Sequence, residues 1–172
     1  AWAAGDCQAR GFLLGATAGR TTLNGEGLQH QDGQSQLHAS FIPNCVSYDP
    51  TFAYELAVII QDGMRRMYEK QENVFYYITV MNENYTHPAM PAGAEGDILK
   101  GLYILREGGK AAKAPRVQLM GCGTILREVI AAAELLRNDF GVEADIWSAT
   151  SFNELRRDGL SAQRWNMLHP GE

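Results

Sequence analysis

Between residues 117 and 149 the chain spells out one complete strand–helix–strand unit, and that stretch restricts the fold more than any other. Residues 117–120 form a short apolar strand, Gly121-Cys122-Gly123 a turn, and Thr124 the expected helix cap. Leu126, Val129, Ile130, Ala133 and Leu136 recur at helical spacing and predict one buried face, and Gly141 stands where a left-handed glycine closes such a helix. Residues 142–149 are the second strand. Two strands joined through a helix run parallel, because a tight hairpin cannot reverse the chain between them.

Upstream the same alternation continues. Residues 11–19 predict a buried strand that runs into a long polar loop, 20–40, punctuated by glycine. Residues 42–48 are the next strand, and Asp49-Pro50 a helix start, with Asp49 capping free N–H groups and Pro50 in the first turn. Over 51–70, Phe52, Leu56, Ile59, Ile60, Met64 and Met67 form one apolar stripe, with Gln61, Arg65, Arg66 and Glu69 elsewhere. Residues 74–81 (VFYYITVM) are the clearest strand, dense in β-branched and aromatic side chains. A Pro- and Gly-rich loop follows, then an expected edge strand over 98–105. Residues 107–116 (EGGKAAKAPR) have linker composition. The predicted class is therefore α/β, with parallel-sheet three-layer units over 1–106 and 117–172 and a linker at 107–116.

Net charge of −5 over 172 residues, with Lys and Arg interspersed among acids, excludes the basic face that a nucleic-acid binder needs. Cys7, Cys45 and Cys122 have neither metal-site nor disulfide-framework spacing. The longest apolar run is too short for a bilayer and no leader opens the chain, so neither membrane nor export is expected, and the compartment expected is cytoplasm. The first residues read as the interior of an amphipathic helix. With the bare C-terminal HPGE, they suggest a piece of something longer.

Three places could carry chemistry. Glu26, His30, Asp32 and His38 put imidazoles and carboxylates into the long loop, where they could transfer protons; a metal is conceivable, and so is a plain hydrogen-bonding surface loop. Gly121-Cys122-Gly123 could be a dinucleotide turn, but Leu126 occupies the place of the third glycine, so a bare tight turn is favoured. Cys122 at a helix start could be a nucleophile, with no base identifiable beside it. Asn82-Glu83-Asn84-Tyr85 follows the strongest strand, where parallel sheets carry their ligands; Glu83 could face a pocket or cap a turn.

Several long strings sharpen this reading. They include Ala3-Ala4-Gly5-Asp6, Gly11-Phe12-Leu13, GRTTLNGEGLQH ending at His30, Ile42-Pro43-Asn44, Tyr48-Asp49-Pro50, Asn82-Glu83-Asn84-Tyr85 and Pro88-Ala89-Met90-Pro91. The tail strings TSFNEL from Thr150 and RWNMLHP from Arg164 belong with them. Together they resemble the homodimeric-type pyruvate dehydrogenase decarboxylating components, which are transketolase-like thiamine diphosphate enzymes. The resemblance implies the later part of a pyrimidine-binding domain over 1–106 and the opening of a transketolase-like C-terminal domain over 117–172. It implies oxidative decarboxylation of pyruvate and acetyl transfer to the lipoyl domain of a dihydrolipoamide acetyltransferase. It also implies a homodimeric parent using thiamine diphosphate and Mg²⁺, both held by residues upstream of Ala1 and neither expected to bind this chain alone. By that likeness His30 lies near the thiazolium and substrate, while Asp32 and Glu26 organise the loop or meet substrate. The family reads D-G-H-S-H where this chain has Asp32-Gly33-Gln34-Ser35-Gln36, and glutamine hydrogen-bonds but does not titrate. A truncated, non-catalytic interaction or structural module is the alternative.

Overall fold

The computed structural model describes residues 1–16, 33–81, 83–109 and 114–171. In chain order it contains α1 (Trp2–Asp6), β1 (Phe12–Ala16), α2 (Ser35–Ser40), β2 (Cys45–Tyr48), α3 (Ala53–Met64) and β3 (Phe75–Val80). There follow α4 (Glu95–Lys100), β4 (Tyr103–Arg106), β5 (Arg116–Gly121), α5 (Ile125–Phe140), β6 (Glu143–Ser148) and α6 (Phe152–Leu168). The helix expected over 51–70 is α3 continued by a π-helical turn, Arg65–Glu69, which brings Met67 into the core.

The first sheet has the order β1-β3-β2 and is parallel throughout. β3 lies between two partners, which explains why its sequence is the most strongly β-forming: Phe75, Tyr76 and Ile78 are all buried. β1 is an edge strand. The expectation of a buried strand there is corrected, since Leu13 and Leu14 are exposed on it. The second sheet has the order β4-β6-β5; β5 runs parallel to β6, as the strand–helix–strand pattern requires, and β4 runs antiparallel. The α/β class holds, with one antiparallel strand that the alternation alone did not announce.

Four local expectations are also corrected. Residues 98–105 are not one strand: α4 occupies the first part and ends at Gly101 in the left-handed region (φ 106°), and only then does β4 begin. Asp49 does not cap α3. The helix opens later, and the Glu55 carboxylate reaches back to accept from the N–H groups of Thr51 (2.6 Å) and Phe52 (2.9 Å). Thr124 sits at the cap position of α5, but its hydroxyl makes no capping bond and is buried without a partner among the described residues. Met64, placed in the apolar stripe by spacing, is exposed, whereas Ile59 and Met67 are fully buried.

The two sheets exchange side chains. Tyr103, from β4 of the second sheet, packs with Val46, Tyr48, Ile59, Met67, Tyr76 and Ile78 in the core of the first. Phe52, at the head of α3, packs with Leu126, Ala133, Ala144 and Ile146 in the core of the second. Burying one large apolar side chain is worth about 1.5–3 kcal/mol, so each exchange ties the units together with the strength of an ordinary core contact.

Candidate functional site

Parallel pairing puts the C-terminal ends of β1, β2 and β3 on one edge of the first sheet, the edge where such sheets place ligands. Three connections leave it: the segment after Ala16, residues 49–52 after β2, and residues 81–94 after β3. Glu26, His30 and Asp32 all belong to the first and lie outside the described residues. The chain leaves the sheet at Ala16, paired with Val80, and is described again from Gly33, just before α2. His38, grouped with them by sequence, is exposed in the last turn of α2, its Nε2 3.4 Å from Gln34 Oε1.

The rest of the edge is a hydrogen-bonded wall. The Asp49 carboxylate accepts the Thr79 hydroxyl and lies against Gly123, where an added Cβ would stand 2.7 Å from Asp49 Oδ1. The Asp49 backbone N–H donates to the Thr150 carbonyl (2.7 Å), and its own carbonyl accepts the Gly123 N–H (3.1 Å). The Gly-Cys-Gly turn is therefore a docking turn: the open side of its second glycine is filled by a carboxylate of this same chain. Cys122 is half-buried there.

Glu55 is the group that sequence reasoning missed. It is fully buried; Oε2 takes the two N–H groups named above, and Oε1 accepts the hydroxyls of Tyr103 and Ser148, each at 2.6 Å. Tyr103 spends its proton on Glu55, so Tyr54, 2.6 Å away, donates to Tyr103. Burial, and then the Glu55 charge, raise the Tyr103 phenol far above its ordinary value, and burial pushes Tyr54 up to about 12. A signal was available: Glu55 stands at i+3 from Phe52 and i−4 from Ile59, so helical spacing alone puts it on the apolar stripe.

After β3, Glu83 pairs with Arg127 at 2.9 Å, and the Arg127 guanidinium lies 4.5 Å from the centre of the Tyr85 ring. Tyr85 stacks on His87 (4.7 Å), and His87 Nδ1 accepts the first N–H of α3 from Ala53 (2.9 Å). Burial pushes Tyr85 up to about 12, partly countered by Arg127. Phe52 and Tyr85 separate a cleft of about 540 Å³, bounded by Leu105, Arg106, Arg127 and Ile130, from one of about 150 Å³ beside Thr79, Glu83 and His87. Both roles considered for Glu83 are thus resolved toward the pocket and an ion pair.

The described acids of this edge are engaged within the protein: Asp49 with Thr79, Glu55 with four donors, Glu83 with Arg127. Among the described residues no group of three or more His, Cys, Asp or Glu side chains is arranged to hold a metal ion. The described wall can orient a neighbour and exclude water. It does not fit a metal–diphosphate, so no chemical step is assigned to such a group on these side chains.

Residues 1–88 match the family model for the pyruvate dehydrogenase E1 component middle domain, over half of the chain. The chain belongs to the pyruvate dehydrogenase E1 component family. Residues 101–170 match the transketolase-like C-terminal domain. Over its full length the chain is 70% identical to a pyruvate dehydrogenase E1 component of Pseudomonas aeruginosa, and over 99% of its length 63% identical to that of Escherichia coli K12. In each case it spans 19% of the relative's length. Among solved structures, a transketolase variant from Pichia stipitis covers 86% of this chain at TM-score 0.60 and 16% identity, with 20% of that protein matched. A transketolase–sedoheptulose-7-phosphate complex from the same yeast covers 81% at TM-score 0.59 and 16% identity, with 19% matched. At that identity the likeness shows the fold: two α/β units of the transketolase kind. No described helix of this E1-family chain is long and apolar enough to cross a membrane.

Within the E1-family chain the two glutamines differ in their surroundings. Gln36 Nε2 donates to the Tyr48 carbonyl at the end of β2 (2.8 Å), whereas Gln34 is exposed, with its Oε1 3.4 Å from His38 Nε2.

Proposed function

We propose that this chain forms one wall of the active site in a pyruvate dehydrogenase E1 component that oxidatively decarboxylates pyruvate and passes the acetyl group to a lipoyl domain of dihydrolipoamide acetyltransferase. The observation that carries the reading is placement: within a middle-domain match, the segment bearing His30 leaves the sheet at the C-terminal end of β1. His30 hydrogen-bonds or donates a proton to the bound intermediate and to the incoming lipoyl sulfur, a task suited to a group that titrates near neutral pH. Glu26 and Asp32 organise the segment around it or meet the substrate. Thiamine diphosphate supplies the electron sink that makes decarboxylation possible. It and Mg²⁺ are held by parts of the enzyme outside this chain, since the acids described here are already engaged. The enzyme is a cytoplasmic homodimer acting where glycolysis delivers pyruvate.

The domain boundary falls earlier than linker composition suggests. We place the start of the C-terminal unit ahead of β4, because β4 pairs with β6 and Tyr103 faces Ser148 in that register.

His30→Ala in the whole enzyme tests the central assignment. Lipoyl acetylation falls by about 10²-fold or more, the scale of a lost acid–base group, with folding intact. Unchanged turnover removes His30 from the site. Titration calorimetry with thiamine diphosphate and Mg²⁺ separates the parts: heat of binding with the whole enzyme, none with this chain alone.

A further inference from the structure

We propose that the cleft of about 540 Å³ between α5, the end of β4 and the segment after β3 is a binding site for an apolar monocarboxylate. The proposal makes no use of His30. The volume lies within the range of small-molecule sites, about 300–1,000 Å³. Phe52, Tyr85, Leu105 and Ile130 give the cleft an apolar lining, and Arg106 and Arg127 bring two guanidinium groups to it.

β4 departs from a regular strand to make this lining. Neighbouring residues of a strand face opposite sides of the sheet, yet Leu105 and Arg106 both line the cleft. The register shows how: Ile104 pairs with Trp147 and Arg106 with Ile146, so Leu105 is an extra residue in β4. A bulge of this kind re-aims a side chain. Here it turns an apolar group and a cation toward one space.

The two arginines are not equivalent. Arg127 is held by Glu83 at 2.9 Å and lies 4.5 Å from the centre of the Tyr85 ring. The ion pair of Arg106 is with Glu134 at 3.9 Å, beyond hydrogen-bond reach, and both side chains are about half exposed (48% and 52%). A pair of that kind contributes little, so the Arg106 fork is the donor set that a carboxylate can take bidentately. Charge decides the class. Each arginine already faces one glutamate, so a polyphosphate would be repelled by Glu83 and Glu134. A ligand with one negative charge and an apolar body meets Arg106 and covers Leu105, Ile130 and the two rings.

Saturation-transfer NMR and titration calorimetry on the whole enzyme test this, with 4-phenylbutyrate as the probe and 4-phenylbutyramide as its uncharged counterpart. The acid is expected to bind saturably with a Kd of about 1 mM or tighter, and the amide about tenfold more weakly. Arg106→Gln is expected to weaken the acid about tenfold and leave the amide unchanged. Ile130→Trp, which fills the cleft, is expected to abolish binding of both. No saturable binding overturns the proposal, and that is also the result if another part of the enzyme fills the cleft. Equal affinity for acid and amide overturns the carboxylate, and affinity untouched by either variant puts the probe elsewhere; each sinks the proposal. Should Arg106→Gln fail to fold, Arg106→Lys keeps the charge and loses the fork, and it is read in the same direction with the same outcomes.

Discussion

Ser148 Oγ donates to Glu55 Oε1 at 2.6 Å, joining the last residue of β6 to the first turn of α3 across 93 residues of chain. Around this bond the middle-domain and C-terminal units meet. The same carboxylate takes Tyr103 from β4 and the two N–H groups ahead of α3, so one acid satisfies donors from both units.

Glu55→Ala is therefore expected to loosen the junction before it loosens either sheet. Each buried donor left without an acceptor costs about 1–3 kcal/mol, and four are left. Hydrogen exchange of the β4 and β6 amides reads this directly: their protection falls, while that of β3 stays near the native level. Glu55→Gln, which sets an N–H₂ against donors on one side, is expected to fall between the two. Equal loss of protection in β3 would contradict a junction-specific role.

Gly101 makes a different demand. Its φ of 106° belongs to glycine, and an added Cβ would overlap the Ser151 carbonyl oxygen. Gly101→Ala combines backbone strain with a clash against main chain that cannot rotate away, and about 1–3 kcal/mol of destabilisation follows. Since Ser151 also caps α6 and its N–H donates to the Gly101 carbonyl at 3.2 Å, increased protease cleavage near the start of α6 is the expected signature.

Asp145 supplies the acid dependence. The Arg116 guanidinium first, then the Gly108 N–H and the Gln118 amide, hold its carboxyl well below the usual carboxylate range. Below its ordinary value of 3.8 the unfolded chain binds a proton that the folded chain resists. The stabilisation is thus complete above that pH and lost as pH falls through the lower folded value. Asp145→Asn is expected to be less stable at neutral pH and to lose less on acidification. A melting profile taken from neutral pH down to about pH 2 distinguishes the two proteins, and parallel curves would contradict the prediction.

Cys45 should be chemically silent in the native protein. It is buried between α2 and β3, and burial pushes its thiol up to about 11, so little thiolate forms near neutral pH. A chromogenic thiol reagent applied before and after denaturation checks this: Cys45 is labelled only afterwards, and labelling at the same rate in both states would refute it.

Much of the architecture follows from period and punctuation. Residues 74–81 read as the clearest strand, because β-branched and aromatic side chains crowd it, and its central place came with its two partners. Residues 117–149 had to pair in parallel, because a helix fills the return path. Gly141 is left-handed where the pattern of α5 ends. The family was legible too, since GRTTLNGEGLQH and TSFNEL are long strings whose order carries more than composition does.

Tertiary structure alone decided the rest, for one physical reason: burial and pairing depend on groups distant in the chain, and local periodicity does not record which distant groups arrive. It made β4 antiparallel and gave it to the second sheet. It made Glu55, which spacing already sets on the apolar stripe, a shared buried acceptor by bringing Tyr103 and Ser148 to it. Asp49, locally a good helix cap, instead faces Thr79 and Gly123, and Asn153, locally one polar residue in a helix start, reaches 117 residues back to Gln36. Spacing along the chain names the elements, and only their packing tells each polar side chain which partner it has.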